Sequence, residues 1–220
     1  MQLSKQKSYR KSYDLAVQEI KKIPIDLQAE KSGLTLYAYD KGKSYTQFSH
    51  FERNIKIYFP DVRFETDDGL PISLISRILI LHYLIKATGK PIVGQLIDFR
   101  QIPGGLSYYP VFERRAKLFL ISNMGNDLDI LKQAALLMGG IPREQGDLSC
   151  TLFPFPRVPV TLTLWQGDED FPSSGKFLFD ASITEYLSSE DIVELCKLIS
   201  VKLISYAKRI KKGDIRKEIN

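Results

Sequence analysis

The residues with the most chemistry to offer lie in four short segments. In the first, Leu96 to Pro110, Arg100 is followed by the pair Gly104-Gly105 and then by Tyr108 and Tyr109. Paired glycines reach positive φ and let a ligand approach the backbone closely. Arg100, the two tyrosines and Arg114 would surround that ligand with donors and flat apolar faces. The same segment also reads as a plain turn between strand and helix, because Gly and Pro dominate turns.

The second segment is Asp168-Glu169-Asp170, just after the only tryptophan, Trp165. Three carboxylates in a row suit a hard cation or a basic partner. Neighbouring residues of a strand face opposite ways, however, so a solvated acidic turn is the plainer alternative. The third is Phe179-Asp180-Ala181-Ser182, where Asp180 reads most simply as the cap of a short helical turn. The fourth is His82, inside an apolar run, where a histidine either ligates a metal or tetrapyrrole or is satisfied by one core partner.

Other constellations are missing from the sequence. There is no GxxxxGK[ST] or GxGxxG phosphate loop and no GxSxG nucleophile elbow. Cys150 and Cys196 form no CxxC, and with His50 and His82 at scattered positions they predict neither a structural zinc site nor an intrinsic iron–sulfur cluster. No residue is assigned a catalytic role and none a metal. Paired buried carboxylates, whose separation is a tertiary property, keep a small enzyme open as an alternative.

The elements that must position these residues follow from periodicity. A helix is expected from about Tyr9 to Ile23, with Leu15, Ala16, Ile20 and Ile23 on one face and Pro24 as its stop. Strands are expected at Leu34–Tyr39, Asn54–Phe59 and Val62–Glu65, with turns at Pro60-Asp61 and Asp68-Gly69. Ile72–Ala87 is apolar nearly all the way round and predicts a central core helix. A short extended stretch at Gly94–Phe99 leads to a loop and a helix beginning near Pro110. Another helix, Leu128–Met138, stops at Gly139-Gly140. Strands at Leu148–Leu152, Val158–Trp165 and Phe177–Phe179 precede a long helix from about Ser188, whose basic tail, 208–220, is expected to fray. The pattern predicts an α+β fold in a single domain, with antiparallel strands from both halves around helix 72–87.

Composition sets the outer bounds. The chain has 220 residues and a net charge of +5, yet residues 23–196 sum to −5 and the basicity sits at the two ends. A nucleic-acid protein concentrates its cations on one working face, so no nucleic-acid partner is expected. The apolar stretch Leu70–Ile85 is too short and too interrupted for a membrane span, and no leader pattern opens the chain. Together with two isolated thiols, this predicts a cytoplasmic protein.

Several motifs are familiar as a set. They are Ile78–Leu84, Asp98-Phe99-Arg100 through Pro103-Gly104-Gly105, Tyr108–Phe112, Phe155–Val160, Trp165–Pro172 and Leu178–Ser182. Over about residues 72–200 the chain resembles an uncharacterised bacterial family, domain of unknown function 3786, common in strict anaerobes. The resemblance implies no established activity. Some relatives carry a Cys-rich iron–sulfur segment that this chain lacks, and others are associated with corrinoid-dependent methyl-group metabolism. The expected function is a non-catalytic accessory module for anaerobic metabolism that binds a cofactor or other ligand, a corrinoid or other tetrapyrrole being the first candidate. Its pocket would be formed by Arg100, Gly104, Gly105, Tyr108, Tyr109 and Arg114, with His82 as a further candidate. The alternative is a protein–protein adaptor, with Asp168, Glu169 and Asp170 or the basic helix docking onto a metalloenzyme. The oligomeric state is left open.

Overall fold

Two antiparallel sheets and a long C-terminal helix organise the chain, an α+β arrangement. The computed structural model describes residues 2–124 and 127–214, and their side chains from Gln6 onward. The chain divides into two compact units, each made of three stretches. The first holds residues up to Val93, Pro154–Val158 and Ser182–Asp191; the second holds 94–153, 159–181 and the chain from Ile192.

The first unit begins with α1 (Gln2–Ile20) and α2 (Ile25–Lys31), separated at Pro24. Ala16 and Ile20 of α1 are buried as periodicity predicts, but Leu15 points outward, 54% exposed. β1 (Leu36–Asp40), β2 (Lys43–His50), β3 (Arg53–Phe59) and β4 (Arg63–Thr66) then form a meander in that order. Thr46, Phe48 and His50 of β2 and Ile55, Ile57 and Phe59 of β3 are its buried side chains. On the other side Tyr37, Tyr45, Tyr58 and Arg63 are directly paired across the four strands. The Tyr37 and Tyr45 rings stack at 5.1 Å, a cross-strand contact of the kind that stabilises sheets.

The most apolar helix, α3 (Leu74–Lys86), is capped by Ser73, whose side chain accepts from the Ser76 amide. It packs against α1 and α2. Gln28 of α2 donates through Nε2 to the carbonyls of Ile85 (3.1 Å) and Ala87 (2.8 Å), closing the orphaned end of α3. Tyr83 is fully buried, stacked on Phe155 at 4.6 Å and on Tyr186 at 5.5 Å. Its hydroxyl donates to the Ser32 carbonyl at 2.6 Å.

The second unit carries a sheet ordered β5-β9-β8-β7-β6, from β5 (Leu96–Asp98), β6 (Ile141–Pro142), β7 (Leu148–Phe155), β8 (Val158–Trp165) and β9 (Ser174–Asp180). β7 and β8 are buried along nearly their whole length, so both faces of the centre are covered. Buried hydroxyls pair across this hairpin, Ser149 with Thr163 and Thr151 with Thr161, each at 2.9 Å.

After β5 a 3₁₀ turn (Phe99–Gln101) leads into α4 (Gly105–Phe112), a π-helical turn (Glu113–Lys117) and α5 (Leu118–Met124). The helix expected from Pro110 therefore starts five residues earlier, with Pro110 inside it. Proline removes the bond to the carbonyl of Leu106, a residue 72% exposed and open to water. α6 (Leu128–Leu137) ends as expected, with the Gly140 amide donating to the Ala135 carbonyl at 2.8 Å. α7 (Ser189–Lys211) stays helical through Lys208 and Arg209, which were expected to fray; the tail from residue 215 lies outside the described residues. No helix among the described residues is long and apolar enough to cross a membrane.

Two glycines give a test of this backbone. A Cβ on Gly105 would sit 1.9 Å from the Phe99 carbonyl oxygen, whereas one on Gly42 would meet nothing within 4 Å and face only the strain of φ +70°. Gly105→Ala is expected to cost about 2–4 kcal/mol and Gly42→Ala about 1 kcal/mol, read from urea denaturation. Equal costs would mean that the close approach is not held in solution.

Candidate functional site

The pocket of interest lies in the second unit and grows out of the turn after β5. Asp98 accepts from the Arg100 amide at 2.9 Å, and the Gln101 side chain reaches back to the Asp98 amide at 2.7 Å. This capping box fixes Arg100 at the start of the chain reversal. Gly104, at φ +75°, then turns the backbone into α4. The Phe112 ring stacks on Phe99 at 4.3 Å with the planes 1° apart, while Phe177 and Phe179 of β9 meet Phe112 edge-on. That aromatic block holds α4 on the sheet.

The result is a pocket of about 260 Å³, walled by Asp98, Arg100, Tyr109, Phe112 and Lys117 on one stretch and by Trp165 and Ser174–Phe177 on β8 and β9. The Arg100 guanidinium lies 3.8 Å over the Tyr109 ring and the Lys176 ammonium 5.5 Å over Trp165. Such cation–π placement orients a cation while leaving donors at its edge. Lys117 donates to the Tyr109 hydroxyl (3.3 Å) and to Glu113, which also accepts from Tyr109. Those bonds hold the Glu113 carboxyl below its ordinary range, Lys117 being the main cause. Burial alone would lower the Lys117 pKa, but its bonds to Glu113 and Tyr109 raise it. Lys117 is thus a neutralised cation, whereas Arg100 and Lys176 have no carboxylate within ion-pair distance among the described residues.

Two of the expected site residues, Arg100 and Tyr109, meet here. Tyr108 and Arg114 are carried by α4 and the π turn and do not line the pocket. Gly104 and Gly105 do not line it either: the space beside Gly105 that a ligand would need is filled by the Phe99 carbonyl. Asp168 accepts at Oδ1 from the amides of Asp170 (2.9 Å) and Phe171 (2.7 Å), so it shapes an exposed turn with Glu169 and Asp170. No group of three or more His, Cys, Asp or Glu side chains among the described residues is placed to hold a metal ion. Asp180 is buried and accepts from the Gly94 amide at 2.6 Å. Both thiols are buried, and desolvation pushes Cys150 up to about 11 and Cys196 well above its ordinary value.

Trp165, Lys117 and Lys176 were not expected at this site. Lys117 was legible as the i+4 partner of Glu113. Lys176 was hidden because β9 begins at Ser174, three residues before the expected Phe177, and Trp165 is the direct neighbour of Ser174.

His82 belongs to the first unit. Its Nδ1 meets Asp191 Oδ1 at 2.6 Å, and Asp191 Oδ2 accepts from the Ser188 amide at 3.0 Å and from its hydroxyl at 2.5 Å. His82 therefore ties α3 to the cap of α7. The Asp191 bond raises the His82 pKa above 6.5, outweighing desolvation. Burial would raise Asp191, but His82 and Ser188 hold it below 3.8. The histidine contribution is complete below the unfolded value of 6.5 and is lost as pH rises through the raised folded value. The aspartate contribution is present above 3.8 and is lost as pH falls through the lowered one. A melting series should show the native chain losing stability from near neutral pH upward relative to His82→Gln. Parallel curves for the two proteins across that range would contradict the pairing.

No curated protein and no solved structure matches the chain. A family model matches residues 28–202, so the shared region reaches back from the expected start near 72 to include the second half of α2 and the whole first sheet. With its pocket turn, both sheets and most of α7 inside that match, the chain belongs to the family described as domain of unknown function (DUF3786).

Proposed function

We propose that this domain is a non-catalytic binding module whose pocket takes a small ligand with an anionic group and a flat apolar part. The observation that carries the reading is a pair of cations, Arg100 and Lys176, with no carboxylate in ion-pair contact among the described residues, each seated on an aromatic ring of one pocket. A carboxylate or phosphate offered there gains charge-assisted hydrogen bonds, and Trp165 and Tyr109 supply apolar surface for a ring. Binding without bond-making is supported by how the neighbouring acids are used. Asp98 accepts a backbone amide and Glu113 compensates Lys117.

Size sets the ligand class. At about 260 Å³ the pocket falls just below the ordinary range for drug-sized ligands. It suits one ring and its acid group; a corrinoid or other tetrapyrrole would enter only through a peripheral acidic substituent. In that form the module would serve anaerobic metabolism by handling a cofactor rather than transforming it. A second reading, docking to a protein partner, draws on Phe171, 71% exposed beside Asp168–Asp170. It requires a stoichiometric partner that Phe171→Ser releases.

The chain contains one tryptophan, and it lines the pocket, so its fluorescence reports occupancy directly. Benzoate is expected to change that emission saturably and neutral benzamide to leave it unchanged. The double variant Arg100→Ala, Lys176→Ala should weaken benzoate by about tenfold or more. Cobalamin and inorganic phosphate are titrated in parallel, cobalamin by its own visible absorbance. Silence toward every anion at large molar excess would remove the reading.

A further inference from the structure

We infer that the first unit carries a second binding site, for a carboxylate joined to a compact apolar group, between β4 and the start of α3. It is independent of the pocket at Arg100 and rests on different residues. The cavity there is about 330 Å³, floored by Phe64, Pro71 and Ile72, with Leu70 and Arg77 also in its wall. Leu70, one of the lining side chains, is 62% exposed.

Arg77 is the anchor. Its guanidinium lies 5.6 Å over the Phe64 ring, and its Nε is buried with no hydrogen-bond partner among the described residues. That nitrogen is sealed from solvent, so the end of the guanidinium is what a carboxylate in the cavity would meet. No carboxylate among the described residues lies within ion-pair distance of Arg77. The acids nearby are already engaged: Glu65, which also lines the cavity, pairs with Arg63, and Asp68 pairs with Arg53 at 2.7 Å. The first turn of α3, which follows Ile72 and the Ser73 cap, contains no acidic residue, so only that neutral cap answers the positive end of the helix.

The wall is preformed. Arg53 donates to the Leu70 carbonyl at 2.8 Å, Thr66 donates to the same carbonyl at 2.8 Å, and the Leu70 amide donates to Asp68 at 2.9 Å. A ligand therefore pays little to order the loop. Its carboxylate meets Arg77, and its apolar part lies on Phe64, Pro71 and Ile72. A free branched-chain acid and the C-terminal residue of a peptide present this same chemistry.

The test is methyl-labelled NMR of the full chain, titrated with 4-methylpentanoate, with 4-methylpentanamide and with the peptide N-acetyl-alanyl-leucine. Saturable shifts of the Leu70 and Ile72 methyls are expected with the two carboxylates and not with the amide. Arg77→Met should lower affinity at least tenfold, and so should Leu70→Asp, whose exposed position leaves folding intact. Arg100→Ala should change nothing here, which separates this site from the other. Tighter binding of the peptide assigns a chain terminus as the ligand, and equal binding assigns the free acid. No saturable shift, or equal shifts with the neutral amide, would overturn the inference.

Discussion

The backbone of Gly105 passes so close to the Phe99 carbonyl that no side chain fits between them, a Cβ there falling 1.9 Å from the oxygen. That approach closes the reversal after β5, with the Ile102 amide on the Phe99 carbonyl at 3.2 Å and the Gly105 amide on the Ile102 carbonyl at 2.7 Å. Much of the second unit's site depends on it. Because α4 starts there, Phe112 returns two helical turns later onto the ring of Phe99. Because Phe112 is placed, Tyr109 one turn earlier comes under Arg100. The π-helical turn that follows then brings Lys117 back to the Tyr109 hydroxyl, eight residues on. The paired glycines are a backbone device first, and the pocket is its consequence.

What periodicity could read, it read where a side chain's burial matched its type. β8 is Val158–Trp165 in both descriptions, because valine and leucine alternate with threonine through a strand covered on both faces. α3 and α6 were legible from apolar spacing, and α6 also from Gly139-Gly140 as its stop. β2 was not, since its inward set is Thr46, Phe48 and His50, two of them polar types that become acceptable only through partners elsewhere. Thr46 donates to the Thr35 carbonyl at 2.9 Å, and His50 Nδ1 meets the Pro154 carbonyl at 2.8 Å. Such partners are tertiary facts. α2 was missed for a related reason, its purpose being carried by one glutamine that reaches α3.

The site was half legible on the same grounds. Arg100 and Tyr109 stand close in sequence, so a local motif revealed them. Trp165 and Lys176 depend on the register of β8 against β9, in which Trp165 faces Ser174 and Lys176 is the diagonal neighbour. Pro110 misled about the helix start: proline reads as a first-turn residue, yet here the exposed side of α4 absorbs its missing donor. His82 looked the same as core or ligand until Asp191 came within 2.6 Å across more than a hundred residues.

Charge placement reverses the meaning of the overall balance. Residues 23–196 sum to −5, and the two basic ends bring the whole chain to +5, so the net charge at long range is the small difference of opposed parts. Screening confines either field to about 8 Å at physiological ionic strength. Inside that distance the local arrangement decides. The buried acids are occupied: Asp191 by His82 and Ser188, Asp180 by the Gly94 amide, and Glu194 by Arg115 and Lys197. Arg100, Lys176 and Arg77, which have no carboxylate in ion-pair contact among the described residues, lie on the rings of Tyr109, Trp165 and Phe64. An anion of the kind proposed would therefore be selected by contact and not by steering. Arg100 and Lys176 are both exposed to solvent, so added salt should weaken an anion's hold on that pair.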